Sequence, residues 1–263
     1  MIPEPTDSLP ARVGQVVLPR EHGGWSLVLE PLALGLIVAP SAAGAALGMA
    51  FLAVFFSRRP LKLVLGGGSD PRRSIAFGSI AVLAAIAAAG LLVAGMRAGP
   101  ASLWPLLLAA PAAAAFAWWD SRGEGREAAA ELAGATAFAI VPAALAAAAG
   151  WTSRPALALT AVMAGRSVPT VMTVRAYLRR NKGQPVPRTP ALAASVLALA
   201  GCLVLCRMHL APWTAGLMTA LLLARAMALL IVTGPRIPAS RVGLAEAVFG
   251  GILVLVVALS WSR

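Results

Sequence analysis

The sequence is short of charge. Only 12% of its 263 residues are Asp, Glu, Lys or Arg, against roughly 25% in an ordinary soluble domain. Acids are the scarcest part: 10 Asp+Glu face 22 Lys+Arg, a net charge of +12. There are two histidines, two cysteines and one tyrosine. No Walker-type loop, nucleophile elbow or HExxH motif occurs, which argues against P-loop, α/β-hydrolase and zincin chemistry. Residues 1–18 are polar and contain prolines, without the apolar region of a cleavable signal peptide. They read as a short disordered cytoplasmic tail. Cys202 and Cys206 share a helix face at i and i+4, a poor geometry for a disulfide. With no His, Asp or Glu nearby they make no metal site, and they read as small buried hydrophobes.

What the sequence has in abundance is apolar runs. Hydrophobic residues make up 59% of it and the mean hydropathy is +0.82. A membrane span needs about 20 mainly apolar residues. Nine such runs stand out, near 24–39, 41–57, 74–95, 101–119, 130–150, 155–176, 190–207, 212–232 and 242–261. Pro40 and Ser41 argue for a break between the first two. The expected fold is all-α: one polytopic transmembrane bundle over residues 19–263, with no soluble domain. Of the basic residues in tails, loops and span ends, 16 fall in the N-terminal tail and at or beyond the ends of runs two, four, six and eight. Four fall on the other side: Arg97, Arg154, Arg207 and Arg263. This bias orients the chain and puts the N-terminus inside. The expected setting is a bacterial inner membrane, crossed many times, and the partner is the bilayer. Nucleic acid is not expected, because the basic excess sits in short loops.

Four charged residues lie inside spans and away from their ends: Glu30, Arg166, Arg225 and Glu246. At 1.5 Å per residue they lie about 6–15 Å from the cytoplasmic end. Charge in lipid is costly and marks a functional site by default. Two acids and two bases at similar depth can also pair as a structural lock. The functional reading is a polar cavity open to the cytoplasm and closed on the outer side.

The mouth of that cavity has recognisable parts. Pro19-Arg20-Glu21-His22-Gly23 leads into the first span, and Glu21 with His22 suits an acid/base pair, since histidine titrates near neutrality. The same residues suit a helix cap near the positive end of the dipole. Arg58-Arg59-Pro60-Leu61-Lys62 precedes a triple glycine, reads as a basic loop, and suits an anionic head group. Trp118 and Trp119 suit interfacial anchoring, and Asp120 beside them is expected to face the cavity. Arg166, Thr170, Thr173 and Tyr177 are spaced 4, 3 and 4 and share one helix face. Pro169 is expected to loosen that helix near Gly165.

The chain resembles the YwiC-like family of bacterial integral membrane proteins. The likeness rests on Pro19-Arg20-Glu21-His22-Gly23, on Arg58-Arg59-Pro60-Leu61-Lys62, and on Arg166-Ser167-Val168-Pro169-Thr170 followed by Val174-Arg175. The span count and the loops after spans two, four and six are also similar to UbiA-type intramembrane prenyltransferases. That resemblance implies chemistry on an isoprenoid diphosphate. The aspartate-rich magnesium motifs of that superfamily are missing here, so arginine and lysine would hold phosphate directly.

The expected function is therefore a UbiA-like or degenerate enzyme, or a binder, for an anionic isoprenoid or lipid. The alternative is a transporter or channel for a small anion or a proton-coupled solute. Glu21, His22, Glu30 and Asp120 are the candidate catalytic residues. Arg58, Arg59, Lys62, Arg166, Thr170, Arg175 and Arg225 are the candidate anion-binding residues. No metal ligands and no cofactor are assigned.

Overall fold

Apolar runs of membrane length have one way to satisfy their backbone in lipid without closing a barrel, which is to become helices. The computed structural model describes residues 13–18, 22–66, 72–232 and 237–261. Among these there are helices and no strands. A one-turn helix α1 (Val13–Val17) lies within the N-terminal tail, with Val16 buried against the bundle. Then come α2 (His22–Val38), α3 (Ala42–Leu65), α4 (Arg73–Ala98), a 3-10 turn (Pro100–Leu103) and α5 (Trp104–Ser121). They are followed by α6 (Ala128–Ala139), α7 (Val141–Ala148), α8 (Ser153–Asn181), α9 (Thr189–Arg207), α10 (Trp213–Ile231) and α11 (Ala239–Ser260). Eight spans in the described residues are long and apolar enough to cross a membrane, and α2 adds a shorter one. These are the nine runs expected from the sequence.

Local chemistry sets the boundaries. Between α2 and α3 the chain turns at Pro40, and Ser41 caps α3 by accepting a hydrogen bond from the Gly44 amide at 2.9 Å. The fifth span is two helices, α6 and α7, stepped at Ile140. Pro142 starts the second, where its missing N–H costs nothing.

Two spans are longer than expected. Arg58 to Lys62 is not a loop: it forms the closing turns of α3, which runs through Pro60 to Leu65. Pro60 removes one hydrogen bond and strains one carbonyl, and the adjoining turns hold the helix together. Likewise α8 continues past residue 176 to Asn181, so Arg179 and Arg180 are helical.

Small residues let the helices approach closely, as expected in lipid. A Cβ on Gly35 of α2 would meet Pro142 Cα at 2.9 Å. One on Gly90 of α4 would meet the Ala46 carbonyl of α3 at 2.5 Å. All eight residues of α7 are buried, and this short alanine-rich helix packs between α2, α3 and α8. Of the span windows, only 11% of that in α4 and 6% of that in α5 is buried. Trp25, Phe55, Phe56 and Phe138 pack edge to face, tying α2 and α3 to α6.

Candidate functional site

The four span charges come together. Glu30 is on the outgoing α2, Arg166 midway along α8, Arg225 two turns before the end of α10 and Glu246 two turns into α11. Arg166 is the centre and only 3% exposed. Its Nη2 donates to Glu30 Oε1 at 3.2 Å and to the Glu246 carbonyl at 3.0 Å. Its Nη1 donates to Thr170 Oγ1 at 2.6 Å and lies 3.6 Å from Glu246 Oε2. Arg225 Nη2 forms an ion pair with Glu246 Oε1. The quartet carries two positive and two negative charges, which removes much of the cost of burying them.

Its satisfaction is incomplete. Among the described residues Arg166 Nε has no hydrogen-bond partner, and neither has Glu246 Oε2. Glu246 is held between two guanidiniums mainly by charge. Thr173, one turn beyond Thr170 and 1% exposed, also has an unpartnered hydroxyl. The buried hydroxyls of Ser195 and Thr219 instead return to the carbonyl four residues back, Ala191 and Ala215, while those of Thr160 and Thr214 share the unpartnered state.

A glycine makes the quartet possible. A Cβ on Gly250, one turn after Glu246 on α11, would overlap Glu30 Oε1 and lie 2.6 Å from Arg166 Nη2. No candidate drawn from the sequence included Gly250, and Glu246 was seen only as a buried charge. The signal available was their spacing of four, which puts a glycine beside the acid on one face.

The remaining candidates fall into separate places toward the same end of the bundle. Arg58 of α3 grips Asp120 of α5 with both arms of its fork, Nε to Oδ2 at 3.1 Å and Nη2 to Oδ1 at 2.8 Å. Lys62, one turn on, reaches the same Oδ1 at 2.8 Å. Gly125 leaves room for this group, since its Cβ would overlap Asp120 Oδ1. Asp120 is thus pinned between helices rather than facing an open cavity. Arg59 donates to the Leu18 carbonyl at 2.5 Å. Arg175 lies on the other side of α8 from Arg166, at 3.0 Å from Glu131 of α6. Trp118 is exposed, with Arg122 3.9 Å above its ring. Glu21 lies outside the described residues. His22 begins α2, and its side chain is not among those described.

At the opposite end of α9 and α10, Cys206, His209, Trp213 and Trp261 help to line a small hollow. His209 therefore stands at the far end from the charged groups, and Cys202 and Cys206 are buried free thiols.

Fold and site together define an integral, multi-pass α-helical membrane protein with a nearly neutral charge cluster inside its spans. Residues 18–145 match the model of the family described as YwiC-like protein. The YwiC-like resemblance is thereby shown over that stretch, which holds the Pro19–Gly23 and Arg58–Lys62 motifs; the Arg166–Arg175 motif lies beyond it. No curated protein and no solved structure matches the chain. The UbiA-type likeness thus rests on span count and loop placement alone.

Proposed function

We propose that the protein binds an anionic amphiphile, an isoprenoid or lipid carrying a phosphate, at the charged end of its bundle. The amphiphile enters from the cytoplasmic leaflet of the bacterial inner membrane. The observation that carries this reading is the pair of guanidiniums, Arg166 and Arg225, converging from two helices on one place inside the spans. Two arginines on one oxyanion is the arrangement by which proteins take up phosphate. Arg166 also has a donor, Nε, still unused. Thr170 and Glu30 set the direction of the Arg166 fork. Arg58, Lys62 and Asp120 tie α3 to α5 at the rim. A transport role has less support, since Glu30, Arg225 and Glu246 lie toward one end of their helices and Arg166 at mid-helix is the deepest of the four.

The test is native mass spectrometry of the detergent-purified protein with the retained lipids identified. Wild type is expected to keep an isoprenoid or lipid phosphate that Arg225→Gln loses while its helix content stays the same. Equal retention by both proteins, or none by either, would refute the reading.

A further inference from the structure

We propose that Glu246 is a resident stand-in for the ligand's anionic group, and that binding displaces it with uptake of a proton. This rests on the anion-binding reading of the quartet. Three observations lead to it. First, Glu246 occupies the space between Arg166 of α8 and Arg225 of α10, where an oxyanion held by both would sit. Second, its carboxylate holds Arg166 loosely, although it pairs closely with Arg225. The Arg166 Nη1 to Oε2 separation of 3.6 Å is beyond a hydrogen bond. The contrast with Asp120 is direct: there the Arg58 fork makes two short, aligned bonds to a carboxylate that serves as a strut. Third, Arg166 is anchored independently of the Glu246 carboxylate, through Glu30, Thr170 and the Glu246 carbonyl. Removing the carboxylate therefore leaves Arg166 aimed at the same place.

Charge balance then dictates the rest. The groups around the Glu246 carboxylate are Arg166 and Arg225, with Glu30 across Arg166 and Thr170 beside it. The set is neutral as it stands. A monoanion entering between the arginines would leave the buried site at −1 unless Glu246 gives up its charge. A proton from water adds to one Glu246 oxygen, the carboxylate becomes a neutral acid, and the incoming oxyanion takes over both guanidiniums. The proton's donor, a buffer acid in the water, is left as its conjugate base, no bond of the protein or ligand breaks, and the site stays neutral. Binding of a monoanion is thus proton-coupled.

The experiment is calorimetric titration of the whole chain near neutral pH in buffers of different ionisation enthalpy, which counts protons taken up. The probes are inorganic sulfate and octyl sulfate below its micelle concentration, because neither titrates near neutrality. The two arms separate a free oxyanion from the head group of an amphiphile. Wild type is expected to take up about one proton per octyl sulfate bound. Glu246→Gln is expected to take up none and to bind about tenfold tighter, within the usual range of coupling. Wild-type binding without proton uptake overturns the inference and leaves the proposed function standing, and that result does not depend on the variant folding. Equal proton uptake by Glu246→Gln would also overturn it. If neither probe binds wild type, while the protein stays folded by circular dichroism, the binding reading and the inference fall together.

Discussion

At the scale of single residues, the side chains that matter most include one that is missing. Gly250 stands where α11 comes closest to Glu30 and Arg166. Gly250→Ala must push the pair off α11, and overpacking of this kind costs about 1–3 kcal/mol. Thermal unfolding in detergent should show the loss. Gly251→Ala is the control: its Cβ would meet nothing within 4 Å, so its midpoint should hold or rise slightly. If both variants melt alike, the close approach at Gly250 is not what its glycine serves. Thr173 offers the opposite case. Its hydroxyl is buried without a partner, so Thr173→Val should stabilise by about 1 kcal/mol, because a desolvated donor is replaced by a methyl group. Thr219→Val loses the bond to Ala215 and should not gain. A fall in the Thr173→Val midpoint would mean that this hydroxyl is bonded in the membrane.

At the scale of elements, α3 and α5 are joined by a strut whose members differ in worth. Arg58 makes a two-armed bond to Asp120, whereas Lys62 is 43% exposed and makes one contact. Lys62→Ala should cost about 0–1 kcal/mol, the range of exposed pairs. Arg58→Ala should cost more, about 1–3 kcal/mol for a charged hydrogen bond to a buried acid. Equal costs in a denaturation series would argue against the fork as the main link. These elements also show what a sequence discloses. Apolar length revealed every span, because lipid leaves few alternatives. Depth by residue count put Glu30, Arg166, Arg225 and Glu246 at similar levels, and they do meet. Local rules failed where neighbours override them: Pro60 reads as part of a loop and lies inside a helix, whereas Pro169, expected within its span, does lie inside one. Reading Arg58 to Lys62 as a loop concealed that two cations four apart share a face and a single acid. The step at Ile140 had a signal in Pro142, hidden in a run of alanines.

At the scale of the whole molecule, nine passes with the N-terminus inside require the C-terminus outside. An alkaline phosphatase reporter fused after Arg263 should be active, and one fused after Lys182 inactive. Activity in the reverse order would mean that α2, the shortest apolar helix, does not cross, or that the charge bias has been read backwards. With the expected reporter pattern, the charged ends of α3, α5 and α8 would face the cytoplasm, and the hollow beside His209 would face the other side.

The short helix α7 has one more consequence. It stands between α2 and α8 with only methyl-sized side chains over most of its length. It therefore sets the gap between the two helices that carry Glu30 and Arg166. A substitution such as Ala143→Leu, at a fully buried position packed with residues of both α2 and α8, adds no charge and touches no polar group, yet it would act as a wedge and lengthen a 3.2 Å contact between two buried ions. In this protein the width of an alanine is a control on an electrostatic bond.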